Sequence, residues 1–236
     1  MRILAADDDL VSRLAMEDVL RQCGAPEVVL AEDGATAWQR VCGDARFDLV
    51  CLDVRMPPPD GLELVARLRA EPGLKRVSAM LITATADRDT VLGATRSDLQ
   101  GFIVKPVGPD TVGRIQRVLA QLDGGILEPA AAAIARLRID AERHARYVGA
   151  LRQQVRALHG LARELASAAA GAQVRTAFLQ KADACRTAAL TLGSPRIEQL
   201  ISDALALLAA DQPGAERAMG QASYWLERVA AAAGHA

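Results

Sequence analysis

Aromatic side chains are scarce, at 3% of 236 residues, so the core has to come from aliphatic residues and alanine. No apolar run approaches the roughly 20 residues of a membrane span. The four cysteines, Cys23, Cys42, Cys51 and Cys185, form no CxxC pair, and only three histidines accompany them. A zinc site is therefore not expected, and reduced thiols in a cytoplasmic protein are. With a formal net charge of -1 there is no global attraction to nucleic acid or anionic membrane. No basic patch or DNA-reading helix pair stands out in the second half. The opening Met1-Arg2-Ile3-Leu4-Ala5-Ala6 meets Asp7 too soon for a signal peptide. What is abundant is aliphatic: hydrophobic residues reach 51%, and the length suffices for two ordinary domains.

The first half is organised around Phe47 to Val65. Leu49-Val50-Cys51-Leu52 is an apolar run that ends on Asp53. A turn, Met56-Pro57-Pro58-Pro59-Asp60-Gly61, leads to Leu62, Val65, Ala66 and Leu68 at helical spacing. Such a run fits a strand buried on both faces of a parallel sheet, and its last residue then lies at the carboxyl edge where open α/β folds place their sites. Further strands are expected at Ile3–Ala6, Glu27–Ala31, Val77–Thr83 and Gly101–Val104. Helices are expected from Leu10 to about Cys23, Ala35 to Cys42, Asp87 to Arg96 and Pro109 to Leu122. Strand and helix alternate five times, the pattern of a doubly wound, five-stranded parallel sheet.

Four strands end in chemically related groups: Asp7 and Asp8, then Asp53, Thr83 and Lys105. All fall at one sheet edge. Carboxylates crowded there repel one another, by roughly 4 kcal/mol for two unit charges about 4 Å apart at an effective dielectric near 20. A hard dication such as Mg²⁺ relieves that repulsion and binds phosphate oxygens besides. A lysine ammonium and a threonine hydroxyl suit the remaining oxygens of a phosphoryl group. The set fits a carboxylate that accepts phosphate, with Asp53 as nucleophile.

On Asp7-Asp8, Asp53 with Met56-Pro57 and Asp60-Gly61, Thr83-Ala84 and Lys105-Pro106, residues 1 to about 122 resemble a CheY-like receiver domain of a two-component response regulator. The resemblance implies phosphorylation of Asp53 by a histidine kinase or phosphotransfer protein. It implies Mg²⁺ held by Asp8, Asp53 and the Arg55 carbonyl, with Asp7 acting through water. It also implies that Thr83 turns towards the phosphoryl group while the switch aromatic, Phe102, rotates inwards. No other enzymatic activity is expected beyond self-phosphorylation and dephosphorylation at Asp53. Two departures stand out: Pro58-Pro59 stiffens the loop after Asp53, and Ser97-Asp98-Leu99-Gln100 replaces a common Gly-Ala pair before Phe102.

Residues 123–128, with Asp123-Gly124-Gly125, read as a linker, and 129–236 as a second domain without strands. Helical patterns run from about Pro129 to His159, Leu161 to Ala170, Val174 to Leu192, Ser194-Pro195 to Ala210 and Pro213 to Ala233. Proline fits the first turns at Pro195 and Pro213. Short connections make this an all-α antiparallel bundle. The segment Lys181 to Gly193 resembles the core of a histidine phosphotransfer (HPt) domain, whose pattern is a histidine, two residues, a lysine and a glycine, closing on Leu-Gly. Leu192-Gly193 fits that end, and Ala135-Leu137 with Ile139-Asp140 fits the first helix and its break. Arg186 falls on the lysine and Thr187 on the glycine, but Asp183 falls on the histidine. An acyl phosphate at Asp183 would lack both an acidic cluster for Mg²⁺ and a lysine at the position beside it. His144, His159 and His235 lack the spacing to Leu-Gly and read as solvated side chains.

The leading expectation is a receiver coupled to a degenerate, HPt-like bundle that docks a kinase or another receiver without transferring phosphate. The alternatives are an active relay through His159 or His144, and a helical dimerisation module.

Overall fold

The computed structural model describes residues 1–25, 27–43, 46–71, 73–84, 99–107, 109–124, 126–166 and 172–233. The chain divides into two compact units, Met1–Gln121 and Leu122–Ala236. The helix expected at Asp87 to Arg96 lies outside the described residues, as do Gly125, Gly171 and His235.

The first unit is a five-stranded, all-parallel sheet in the order β2-β1-β3-β4-β5. Its strands are β1 (Arg2–Ala6), β2 (Glu27–Ala31), β3 (Leu49–Asp53), β4 (Ser78–Thr83) and β5 (Gly101–Val104). Helices α1 (Leu10–Gln22), α2 (Gly34–Gly43), α3 (Gly61–Ala70) and α4 (Pro109–Gly124) complete the unit's described elements. All five β3 residues are buried, as a central strand covered on both faces requires. Val50 and Leu52 join Ala37 and Val41 of α2 and Leu64 and Leu68 of α3 in one cluster. Leu49 and Cys51 alternate to the other face. There Cys23, at the end of α1, donates to the Val112 carbonyl of α4 at 3.6 Å.

The register brings the strand ends level. Asp53 pairs with Ile82 and Thr83 with Val104. One residue past the strands, the ladder still continues: Asp7 N–H donates to Ala31 O at 3.2 Å, Val54 N–H to Ile82 O at 2.7 Å and Lys105 N–H to Thr83 O at 2.8 Å. At the opposite edge Asp48 locks β1 to β3. Its N–H donates to Arg2 O at 2.8 Å, and its carboxylate accepts the Arg2 N–H at 2.8 Å.

Among its described residues the second unit is built of helices, with no strand. A short helix, α5 (Ala130–Leu137), precedes α6 (Ala141–Leu165), α7 (Ala172–Thr191), α8 (Pro195–Ala209) and α9 (Ala215–Ala233). Each of α6 to α9 packs on the next, and α9 returns to α6, which closes a four-helix bundle. The core is aliphatic and alanine-rich, with Leu151, Val155, Leu158, Ala182, Leu200, Ala218 and Met219, plus Phe178 and Trp225.

The expected break near Gly160 does not occur. Leu158 and Ala162 keep the buried stripe in phase, and nothing lies within 4 Å of where a Gly160 side chain would be. An interior glycine costs a helix about 1 kcal/mol without ending it. The earlier break that Ile139-Asp140 suggests does occur, at Arg138–Asp140. Arg138 adopts a left-handed conformation at φ 53°, and the Asp140 carboxylate caps α6 by accepting the Arg143 N–H at 2.7 Å.

The described residues of the expected linker lie against or within the two units. Asp123 and Gly124 belong to α4, and Ile126 is fully buried in the bundle core. Ser194 Oγ donates to the Ile126 carbonyl, and Arg196, stacked 4.0 Å over Trp225, donates to the Leu122 carbonyl at 2.8 Å.

Burial pushes the thiols of Cys51 and Cys185 up to about 12. Native protein at pH 8 should therefore protect both from a water-soluble disulfide reagent, while half-buried Cys42 reacts fast and Cys23, whose thiol burial also raises, reacts more slowly. Absorbance of the released thiol would show one fast and one slower equivalent, with the other two appearing only in denaturant.

Candidate functional site

The site is built at the carboxyl edge of the sheet. Lys105 is its hub: Nζ lies 2.7 Å from Asp7 Oδ2 and 2.8 Å from Asp53 Oδ1. Asp7, Asp53 and Thr83 are buried, whereas Asp8 is exposed. Carboxylate oxygens from Asp7, Asp8 and Asp53 lie within 4.8 Å of one another. The second oxygen of Asp53 accepts the Arg55 N–H at 2.9 Å, and the Arg55 side chain is exposed. The Lys105–Thr83 backbone bond fixes the hydroxyl-bearing and ammonium-bearing strand ends side by side.

Electrostatics explain why one lysine is not enough. Burial pushes the Asp53 carboxyl above its ordinary value of 3.8; Lys105 opposes this and the Asp7 charge adds to it. Burial also pulls on Lys105, but hydrogen bonds to Asp53 and Asp7 outweigh it and hold the ammonium above 10.5. Three carboxylates against one ammonium leave the pocket short of positive charge. Oxygen donors at this spacing suit a hard divalent cation such as Mg²⁺.

Neighbouring motif residues have structural duties that the spacing alone did not reveal. Asp9, third in the acidic run, is the N-cap of α1: its carboxylate accepts the Ser12 N–H at 2.7 Å, which holds it below the usual carboxylate range. Asp60 caps α3, and with Glu63 it completes a capping box. Gly61 passes against Asp53 so closely that a Cβ there would sit 2.2 Å from the Asp53 carbonyl oxygen. A Cβ on Gly34 would meet the Pro59 carbonyl oxygen at 1.7 Å, so α2 begins hard against the proline loop. Arg13 went unnoticed in the sequence. Its guanidinium donates to the Asp7 carbonyl at 2.6 Å and ties α1 to the strand end. Phe102, on β5, is 38% exposed, so its ring points outward. Just before β5, Gln100 gives its backbone N–H to Ala79 O and its side-chain Oε1 accepts the Ala79 N–H, each at 2.9 Å.

In the second unit, Asp183, Arg186 and Thr187 lie on the solvent side of α7. Arg186 pairs with Asp183 at 3.1 Å, and the Thr187 hydroxyl donates back to the Asp183 carbonyl at 3.1 Å. Gly193 ends α7 in a left-handed conformation at φ 63°. The Gly193 N–H donates to Leu190 O and the Ser194 N–H to Ala189 O, the two bonds of a Schellman motif. The Leu-Gly ending is thus a helix stop. His159 is not freely solvated, as the sequence had suggested. It is half-buried, with Nε2 3.3 Å from where a Gly220 Cβ would be, so the ring occupies space that glycine leaves on α9. His144 is half-buried near Glu128, whose carboxyl it helps hold low, behind the hydrogen bond from Arg136. Among the described residues no helix is long and apolar enough to cross a membrane.

The raised Asp53 value carries a sign. Its neutral form is favoured in the folded state, so the stability it contributes is present below 3.8 and lost as pH rises through the folded value. In EDTA at pH 7, Asp53→Asn should therefore raise the receiver's melting midpoint by a few degrees. The gap should shrink towards pH 4, and also when Mg²⁺ is added to both proteins. Calorimetric scans at the two pH values check this.

The response regulator receiver domain model matches residues 3–115. The chemotaxis protein CheY of Pseudomonas aeruginosa is 30% identical over 125 residues, 52% of this chain and 100% of that protein. CheY-3 of Vibrio cholerae is 36% identical over 107 residues, 45% of this chain and 81% of that one. Among solved structures, the receiver domain of a sensor histidine kinase from P. aeruginosa PAO1, with a magnesium ion coordinated in its active-site cleft, is 26% identical. It covers 51% of this chain and 95% of that one, with a TM-score of 0.45. Through its first half, the chain belongs to the response regulator receiver family, the modules of two-component signalling that take phosphate from histidine kinases or phosphotransfer proteins.

Proposed function

We propose that the chain is a two-component response regulator in which Mg²⁺-dependent phosphorylation of Asp53 switches an HPt-like helical domain that docks partner proteins and transfers nothing itself. One observation carries the receiver half: the Lys105 ammonium bridges Asp7 and Asp53, with Asp8 a few ångströms away, at aligned strand ends.

In the proposed reaction an Asp53 carboxylate oxygen attacks the phosphorus of a phosphohistidine on the donor. The new P–O bond forms as the P–N bond breaks, and the imidazole nitrogen leaves and takes up a proton. Asp7, Asp8, Asp53 and the Arg55 carbonyl would hold Mg²⁺, which when bound neutralises charge on the phosphoryl oxygens. Lys105 exchanges one of its carboxylate contacts for a phosphoryl oxygen, and the Thr83 hydroxyl donates to another. Thr83 moves towards the phosphoryl group as it does so, and the space it vacates admits Phe102, now outward.

For the second unit, support comes from an exposed Asp183–Arg186–Thr187 surface on a bundle helix that ends at Leu192-Gly193. A carboxylate replaces the histidine, so this surface recognises without relaying. A relay through His159 is disfavoured by its packing against α9, and His144 lies beside Glu128. Dimerisation through the bundle is the remaining reading. The proposed localisation is cytoplasmic.

The test is labelling by ³²P acetyl phosphate with Mg²⁺. Wild type should acquire acid-stable, base-labile label, and Asp53→Asn should acquire none. Base-stable, acid-labile label on a histidine in that variant would favour the relay.

A further inference from the structure

The exposed face of α7 has the composition of a docking surface centred on one charge. The Asp183 side chain is 74% exposed, and its partner Arg186 is 42% exposed. Leu179 and Leu190, 42% and 57% exposed, stand four residues before and seven after Asp183, on the same stripe. The receiver shows a matching face. Leu10, Val11 and Leu14 are 57%, 74% and 47% exposed on the first turns of α1, which the N-cap Asp9 joins to Asp8. Five of the seven exposed large hydrophobics among the described residues thus border either Asp183 or the acidic pocket. Apolar side chains gathered around a charged centre on two faces mark interaction surfaces better than scattered ones do.

We propose that the Asp183 face of one copy docks on the Mg²⁺-loaded, unphosphorylated receiver pocket of a second copy, with the Asp183 carboxylate where a phosphoryl group would otherwise bind. The inference rests on the HPt-like reading and names its partner. Without a dication the pocket carries three carboxylates against one ammonium and repels Asp183. With Mg²⁺ the pocket is neutral and the ion still has coordination positions held by water. An aspartate is shorter than a phosphohistidine, so its carboxylate accepts hydrogen bonds from those waters. Little opposes the exchange, because an exposed ion pair such as Asp183–Arg186 contributes little in water. Arg186, once released, complements the acidic rim that exposed Asp9 and Asp18 give α1. Leu179 and Leu190 bury against Leu10, Val11 and Leu14. Two reciprocal contacts of this kind make a closed dimer. A phosphoryl group on Asp53 takes the same positions and adds negative charge, so phosphorylation separates the copies.

Sedimentation velocity on the full chain tests this in Mg²⁺, in EDTA, and in Mg²⁺ with acetyl phosphate. A dimer is expected in Mg²⁺ alone and monomer in the other two conditions. Asp183→Asn and Leu190→Asp, checked for native helicity by circular dichroism, should each weaken the dimer about tenfold or more. Monomer throughout, or a dimer indifferent to EDTA and to Asp183→Asn, overturns the inference. If it is overturned yet the chain binds a histidine kinase's helical domain in a way that Leu190→Asp abolishes, the HPt-like docking reading still stands. If that binding also fails, both fall.

Discussion

The receiver depends on one electrostatic constraint. Three carboxylates are brought to the same sheet edge, and a single ammonium bridges two of them. Every nearby feature serves that crowding. The parallel ladder delivers Asp7, Asp53, Thr83 and Lys105 at matched heights, and Arg13 holds the Asp7 backbone. Gly61 lets α3 begin against the Asp53 carbonyl, where any side chain would collide. The arrangement is stable enough to exist and unsatisfied enough to bind: Asp53 keeps a raised value even with Lys105 at 2.8 Å. A pocket already neutralised by its own side chains would have no use for a dication or for a phosphoryl group whose charge the dication shares.

Much of this was legible in the chain because it depends on periods and on strand ends. Buried runs ending in Asp53, Thr83 and Lys105 declare both the parallel sheet and its functional edge. What could not be read were contacts set by tertiary geometry. Asp9 simply continues the acidic run Asp7-Asp8 in the chain, and only the fold shows its carboxylate capping α1. Arg13 carries no motif, since its partner is a backbone carbonyl. Asp60-Gly61 was recognised as a signature, but the reasons for it, a helix cap and a close approach, come only from the packing.

The bundle illustrates the opposite balance. Alanine-rich helices announce themselves, but glycine is a poor guide to their ends. Gly160 sits inside α6 because its neighbours keep the apolar stripe in phase, while Gly193 stops α7 because its backbone is left-handed. Residues 123–128 read as a short linker from composition. Ile126 nevertheless reaches the bundle core, where Ser194 holds its carbonyl. His159 reads as solvated because it lacks the spacing to Leu-Gly; its partner is the space over Gly220, on a helix about 60 residues away.

The central claim is that the crowded acids form one dication site. Isothermal titration of the full chain with MgCl₂ at neutral pH addresses it most directly. The account predicts one Mg²⁺ per receiver, with affinity falling at least about tenfold in Asp8→Asn and again in Asp53→Asn, while Asp9→Asn, a change at the helix cap, binds as wild type does. No saturable Mg²⁺ binding, or binding that survives both Asp8→Asn and Asp53→Asn, would contradict it.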